Sequence, residues 1–214
     1  MLRMFTVFII GNIASGKSCA SRYLERNGAY RIDLDELAKS LYQPGSALVG
    51  DLSEAFGWDI LDATGGIRRD VLAERAFSSA ESTELLNSIV HPVLLEQLSL
   101  RLLPANCCSA LVPEHPWTVV EISVAAAFTD AFGLADEVVA ITAPLDVRRE
   151  RAVLRGMALE DFDTRAALQP AEDELCSLAT TVIDNSVGDD GLFRDLDAWM
   201  SAHGLLATGE RAHG

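Results

Sequence analysis

The chain alternates short, almost wholly apolar runs with longer stretches in which apolar residues recur every three or four positions. The apolar runs are rich in β-branched and aromatic residues, which is typical of buried parallel strands. The longer stretches have the spacing of amphipathic helices. This alternation predicts an α/β fold with a parallel-sheet core. The expected strands lie at residues 4–10, 30–35, 117–122, 137–142 and 181–185.

Strand signals disappear for much of the first half of the chain, where glycines are followed by helical patterns. At 214 residues, the chain is long enough for one well-cored domain with appendages. We therefore expect a single domain with a helical insertion and a small helical lid. The expected parts are a core at about 1–60, 116–145 and 178–205, the insertion at about 61–115, the lid at about 146–177, and a flexible tail at 206–214.

The segment directly after the first expected strand has the pattern G-x-x-x-x-G-K-[ST] of a phosphate-binding loop. It lies between a strand and a helix, where backbone N–H groups can converge on a polyphosphate. The lysine of the pattern can reach the β- and γ-phosphates, and the Ser18 hydroxyl can bind Mg²⁺. The sequence therefore predicts a nucleotide site formed by Gly11, Asn12, Ile13, Ala14, Ser15, Gly16, Lys17 and Ser18.

Two carboxylates, Asp33 and Asp35, end the second expected strand. Because ligands gather at the carboxyl ends of strands in open α/β sheets, we expect both acids on the same edge as the phosphate-binding loop. The alternative is that they cap the N-terminus of the next helix.

Three arginines, Arg148, Arg151 and Arg155, share one face of an expected helix that opens at Asp146. A charged helix face is usually only solvated, but this one follows a core strand and precedes an acidic, helical segment. We therefore expect this arginine face to have a functional role.

Farther back, in the insertion, Pro92 suits the first turn of a helix, so His91 is expected in a break before a helix over 93–103. The alternative for His91 is a helix-flanking side chain bonded to backbone.

Composition narrows the class of partner. The formal net charge of −15 argues against a nucleic-acid scaffold and favours a small-molecule ligand. The four cysteines show no C-x-x-C pair and no metal-ligand spacing, as expected for thiols in a reducing cytosol. No apolar stretch approaches a membrane span, and the N-terminal apolar run lacks a small-residue cleavage site. We expect a cytoplasmic protein.

An ordered set of further motifs extends over nearly the whole chain. It comprises residues 11–18, Ile32-Asp33-Leu34-Asp35, Pro44-Gly45, Phe56-Gly57, Arg69 with Leu72 and Phe77, residues 86–92, Arg151 with Arg155-Gly156, Arg165 with Gln169, and Ile183-Asp184-Asn185. In this order the chain resembles the dephospho-coenzyme A kinase family. Few other families with this loop combine Asp-x-Asp after the second strand with Asn-x-x-x-His-Pro in the insertion.

The resemblance implies a P-loop kinase that transfers the γ-phosphoryl group of ATP to the ribose 3′-hydroxyl of dephospho-coenzyme A, giving coenzyme A and ADP. ATP and dephospho-coenzyme A are the implied partners, and Mg²⁺, held by Ser18, is the implied cofactor. The helical insertion would bind the acceptor, as in other small P-loop kinases.

The resemblance also implies residue roles. Asp35 matches the family's catalytic base and would act together with Lys17 and Arg151. Arg151 and Arg155 would close over the triphosphate, and Asn185 would lie near the adenine. The residues implied to line the acceptor site are Asp33, Arg69, Asn87 and His91.

The chain departs from the family pattern at several positions. After the third strand it has Ser123-Val124-Ala125-Ala126-Ala127 where the family usually has Pro-Leu-Leu-x-Glu, so a carboxylate is lost from the expected ligand edge. Asn12 and Ala14 stand where glycines are common. Two alternatives therefore remain, a P-loop kinase for another small nucleotide-like acceptor and a non-catalytic nucleotide-binding paralogue. Retention of Lys17 and Asp35 favours the kinase, since a mere binding protein needs no base.

Overall fold

The structure is a computed structural model that describes residues 4–102 and 115–206 of the chain. Two of the four cysteines, Cys107 and Cys108, and residues 207–214 of the expected tail lie outside the described residues. Contacts within the chain divide it into two units. The first comprises Met1–Leu34 and Leu102–Gly214, and the second comprises Asp35–Arg101.

The first unit is built on a sheet with five strands in the described part of the chain, which confirms the predicted α/β fold. The strands are β1 (Phe5–Ile10), β2 (Ala29–Asp33), β3 (Trp117–Glu121), β4 (Glu137–Thr142) and β5 (Thr181–Asp184). Their order is β2-β3-β1-β4-β5, and every neighbouring pair is parallel. Since all carboxyl ends therefore lie at one edge, this edge is where a ligand is expected to bind.

Helices connect the strands and make up most of the second unit. In chain order they are α1 (Lys17–Arg26), α2 (Leu34–Ser40), α3 (Ala47–Phe56), α4 (Arg69–Ala76), α5 (Ala80–Leu102), α6 (Leu145–Leu154), α7 (Leu159–Ala167), α8 (Glu172–Ser177) and α9 (Asp189–Ala202). Among the described residues, no helix combines the length and the hydropathy needed to cross a lipid bilayer.

The core of the first unit lies between the sheet and two helices, α1 and α9. Val7 and Val119, from the central strands, are fully buried together with Leu24 of α1 and Leu196 of α9. Strands covered on both faces need apolar residues at nearly every position, which explains why the strand runs are so easily found in the sequence. This packing fixes the start of α1, and hence the loop before it, against the end of β1.

The second unit has its own apolar cluster. Leu48, Leu52 and Phe56 recur every four residues along α3 and pack with Leu72 of α4 and Val90 of α5. The side chain of Ser46 caps α3 by accepting a hydrogen bond from the Val49 N–H at 3.3 Å. By its internal contacts this unit starts at Asp35 and includes α3, whereas the sequence analysis placed the start of the helical insertion near residue 61.

One local prediction was wrong. Pro92 was expected to mark a break before a helix over 93–103, but α5 runs without interruption from Ala80 to Leu102 with Pro92 inside it. A proline inside a helix removes the hydrogen bond that its own N–H would make, here to the Ser88 carbonyl, and its ring crowds that carbonyl. Apolar residues on both sides, among them Val90 and Leu98, are buried and maintain the helix across this position. His91 is therefore a helical residue.

Candidate active site

The phosphate-binding loop follows β1 directly, and α1 begins at Lys17. Gly16 adopts φ +114°, a left-handed conformation that favours glycine. A Cβ at this position would lie 2.2 Å from the side-chain nitrogen of Asn185. The second glycine of the motif is thus required by both backbone conformation and space.

The Lys17 ammonium donates to the Asn12 carbonyl at 3.3 Å, so the lysine folds back along the loop.

Two expected nucleotide contacts, Arg151 and Asn185, are hydrogen-bonded to the backbone of this loop. Asn185 is 1% exposed and donates from Nδ2 to the Ser15 carbonyl at 2.8 Å. Arg151 donates to the Asn185 carbonyl at 2.7 Å and to the Ser15 carbonyl at 3.4 Å. The sequence analysis expected these side chains over the triphosphate and near the adenine. In this structure they hold the loop backbone.

The other end of the loop is tied to the connection between α7 and α8. The Asn12 side chain donates to the Pro170 carbonyl at 3.0 Å, and the Ile13 N–H donates to Gln169 Oε1 at 2.7 Å. Arg148 donates to the Ile13 carbonyl at 3.5 Å. The amide of Asn12, which replaces a glycine common in the family pattern, therefore has a specific hydrogen-bonding partner.

A carboxylate that the sequence analysis did not assign to the site, Glu121, lies beside Ser18. The Ser18 hydroxyl donates to Glu121 Oε1, and the Ser21 hydroxyl donates to Oε2 at 2.7 Å. Arg31 forms a 2.6 Å ion pair with the same oxygen and a 2.8 Å ion pair with Asp33. The sequence feature that could have indicated Glu121 is its position as the last residue of a buried parallel strand.

The electrostatics of this cluster favour an ionised Glu121. Burial by itself would raise the pKa of the Glu121 carboxyl, but hydrogen bonds from Ser18, Arg31 and Ser21 outweigh it and lower the pKa. The segment 123–127 contains Val124, which is exposed, and a short 3₁₀ turn at Ala125–Ala127. A carboxylate thus remains at the end of β3, although it comes from the strand itself and not from the segment that follows.

An open pocket of about 720 Å³ is lined by residues of α1 and by Arg155, and it includes Ser18 at the end of the loop. Its lining residues are Ser18, Cys19, Arg22, Glu25, Arg26 and Arg155. Arg155, expected to contact the triphosphate, therefore lies next to the first turn of α1. Burial, followed by interactions with Asp189, raises the pKa of the Cys19 thiol, so this cysteine is not an activated nucleophile. The pocket combines an excess of positive charge with the end of the phosphate-binding loop.

The predicted site residues are divided between the two units. Lys17, Ser18, Asp33, Arg151, Arg155 and Asn185 belong to the first unit. The second unit contains Asp35, Arg69, Asn87 and His91. Asp33 is the last residue of β2, but Asp35 lies in the first turn of α2, so only one of the two acids is a strand residue. Asn87 and His91 are four residues apart on α5 and therefore share a face of that helix.

No group of three or more His, Cys, Asp or Glu side chains able to hold a metal ion occurs within residues 4–102 and 115–206. Mg²⁺ usually keeps several waters and binds proteins through few ligands together with substrate phosphates. The Ser18 hydroxyl donates a hydrogen bond to Glu121, and its oxygen still has lone pairs available for a cation. The residues present fit a Mg²⁺ ion that is shared with a nucleotide.

Comparison with known proteins agrees with this geometry. A family model for dephospho-CoA kinase matches residues 5–190. The dephospho-CoA kinase of Corynebacterium diphtheriae is 38% identical over 194 residues, which cover 89% of this chain and 93% of that protein. The Mycobacterium tuberculosis H37Rv enzyme of the same name is 34% identical over 198 residues, 92% of this chain but 47% of that protein. The chain therefore spans about half the length of the mycobacterial relative.

Solved structures give the same picture. Thermus thermophilus TT1252 has a TM-score of 0.75 at 27% identity, with 94% of this chain and 98% of that chain covered. Dephospho-CoA kinase from Campylobacter jejuni has a TM-score of 0.58 at 21% identity, over 92% and 96% of the two chains, and shows the fold alone. Because the family model extends over most of the chain and a relative with 38% identity is covered almost completely, the chain belongs to the dephospho-CoA kinase family.

Proposed function

We propose that this protein phosphorylates the ribose 3′-hydroxyl of dephospho-coenzyme A with ATP, giving coenzyme A and ADP. The observation that carries the proposal is the hydrogen bond from the Ser18 hydroxyl, next to Lys17 in the phosphate-binding loop, to the buried Glu121 carboxylate. Phosphoryl transfer needs alignment and neutralisation of charge more than covalent chemistry. These residues are suited to both tasks on the donor side. The reaction uses ATP, so we propose the cytoplasm as its location.

On the donor side, the amides of the loop and the Lys17 ammonium would bind the β- and γ-phosphates. The Ser18 hydroxyl would be the protein ligand of Mg²⁺, and Glu121 would orient that hydroxyl through its hydrogen bond. When bound, the ion neutralises charge on the phosphate oxygens. Arg155, on the wall of the pocket beside α1, would contribute positive charge to the same polyphosphate.

Arg151 would act with Asn185 by fixing the Ser15 carbonyl, which keeps the neighbouring amides of the loop directed toward the phosphates. A loop that is already ordered needs less conformational entropy to bind its ligand.

On the acceptor side, Asp35 is our candidate for the base that accepts or orients the proton of the 3′-hydroxyl. Its place in the first turn of α2 leaves the carboxylate exposed. Asp33, at the end of β2, is a second acid for positioning the acceptor. We assign Arg69, Asn87 and His91 to acceptor binding in the helical insertion.

The activity can be tested directly. Purified protein incubated with ATP, Mg²⁺ and dephospho-coenzyme A should give coenzyme A, detected by mass spectrometry. A parallel screen with nucleosides and nucleoside monophosphates should give no comparable turnover. The variant Lys17→Met should lose product formation. If the protein binds ATP but phosphorylates another acceptor, or none, the proposed function is wrong.

The role of the base has a separate test. Asp35→Asn should reduce turnover by about 10²- to 10⁴-fold while ADP affinity stays near that of the wild type, because the base contacts the acceptor and not the phosphates. Unchanged turnover would limit Asp35 to stabilising the N-terminal turn of α2 through its negative charge.

A further inference from the structure

Arg31 is the centre of a network of hydrogen bonds at the edge of the sheet. Its Nη2 pairs with Glu121 at 2.6 Å and with Asp33 at 2.8 Å, and its Nε donates to the Ser21 hydroxyl at 2.9 Å. The side chains of Arg31, Glu121 and Asp33 are 12%, 4% and 19% exposed. One guanidinium therefore bridges two strands and a helix in a region with little water.

The register of the sheet explains why a cation is needed there. Asp33 and Glu121 are paired residues on the parallel strands β2 and β3, and each is the last residue of its strand. Two carboxylates at neighbouring positions repel each other, and burial strengthens the repulsion. The fork of N–H donors in arginine can satisfy several oxygens at once, which a lysine ammonium does with less directional control. Arg31 thus supplies positive charge and N–H donors to both of these neighbouring carboxyl groups.

The network also determines which oxygen of Glu121 faces the loop. Arg31 and Ser21 both bind Oε2. The other oxygen, Oε1, is left to accept from the Ser18 hydroxyl. The orientation of Ser18 therefore depends on Arg31 through the two oxygens of one carboxylate. The sequence analysis treated Arg31 only as part of a short strand.

We infer that Arg31 is a positioning residue for phosphoryl transfer. It holds Glu121 so that Oε1 of this carboxylate orients the Ser18 hydroxyl, and it holds Asp33 in register beside Glu121. The inference rests on the proposed function, since it gives Ser18 the role of metal ligand. Its specific consequence is that Arg31 sets how strongly Mg²⁺ supports nucleotide binding. An ion pair that serves only the fold would affect stability but not this dependence.

The test uses Arg31→Met, which keeps the length of the side chain and removes its charge and donors. ADP affinity is measured by calorimetry with excess Mg²⁺ and again with EDTA, at a temperature where circular dichroism shows a folded protein. We expect ADP affinity in EDTA to match the wild type. The gain in affinity on adding Mg²⁺ should fall about 10-fold or more, and the Mg²⁺ concentration for half-maximal turnover should rise about 10- to 100-fold.

Removing one partner of a buried ion pair can unfold a protein, so a milder variant accompanies the first. Arg31→Lys keeps the charge but cannot reproduce the three contacts, and its Mg²⁺ dependence should shift in the same direction. The matched control is Arg149→Met, which breaks a 2.6 Å ion pair with Asp163 on the exposed side of α6 and should leave both measurements unchanged.

Two results would overturn the inference. In the first, the folded Arg31 variants show the Mg²⁺ dependence of the wild type and are merely less stable. In the second, they lose ADP affinity equally with and without Mg²⁺, which would indicate a general distortion of the loop. Because the ADP measurements need no acceptor, they test Arg31 even if dephospho-coenzyme A proves not to be the substrate.

Discussion

The substitution Gly16→Ala tests whether the phosphate-binding loop is held by the Asn185 side chain behind it. Gly16 has φ +114°, and the added Cβ would lie 2.2 Å from Asn185 Nδ2. Real Cβ atoms do not approach other atoms so closely, so the amide must move away. Asn185 is 1% exposed, and when its amide moves the Ser15 carbonyl loses its 2.8 Å hydrogen bond.

The cost has two parts. A left-handed conformation costs a residue with a Cβ about 1–2 kcal/mol. Disrupting a buried hydrogen bond costs about 1–3 kcal/mol more. Gly28→Ala is the matched control, because Gly28 has a similar φ of +99° but nothing within 4 Å of an added Cβ. Gly28→Ala should have only the cost of the left-handed backbone conformation, so Gly16→Ala should be more destabilising by about 1–3 kcal/mol.

The assay is equilibrium unfolding in urea at 25 °C, with ADP affinity measured on the same samples. In the background of Asn185→Ala, where the clash is absent, the difference between the two glycine substitutions should largely disappear. Gly16→Ala should also weaken ADP binding, whereas Gly28→Ala should not. Equal losses of stability at the two glycines would refute the reasoning, since they would show that the contact with Asn185 does not constrain the loop.

Two further predictions concern other parts of the first unit. Asn12→Ala and Gln169→Ala should each weaken ADP binding about fivefold, because each removes one hydrogen bond between the loop and the α7–α8 connection. Calorimetry on both variants checks this, and an unchanged ADP affinity in either variant would contradict the prediction. Burial of the Glu137 carboxyl favours a higher pKa, but hydrogen bonds from Thr180 and His203 outweigh it and lower the pKa. The ionised Glu137 carboxylate therefore contributes to the free energy of unfolding above its unfolded pKa of about 4.3, and this contribution is lost as pH falls through its pKa in the folded protein. In Glu137→Gln, the free energy of unfolding of this unit should fall less steeply below about pH 4.5. An unchanged pH profile would show that Glu137 does not make this contribution.

The features that could be predicted from sequence are those determined by neighbouring residues. The strand at β1 is apolar at almost every position, and the loop pattern after it requires glycine and lysine at fixed spacing. Both were found as predicted. The family resemblance was also confirmed, because it rests on ordered motifs spread along the chain.

The network around Arg31 could not be predicted in this way. Arg31 and Glu121 are polar residues in two different short strands, and the whole of the second unit lies between them in sequence. Only the order β2-β3-β1 makes them neighbours, and the sequence pattern does not specify that order. The predicted helix break at Pro92 was wrong for a different reason. Burial of apolar residues before and after this position in α5 outweighed the local tendency of proline to end a helix.

The adjacency of β2 and β3 also has a consequence for how the chain reaches its native state. Pairing these strands closes a loop that contains all of Asp35–Arg101, and the entropic cost of closing a flexible loop grows with its length. The second unit has its own apolar cluster around Leu52 and Ile60, so it can become compact before β3 is in place. A compact insertion shortens the chain that has to be closed. Collapse of Asp35–Arg101 would then precede docking of β3, and the ion pair between Arg31 and Glu121 would be among the last contacts to form.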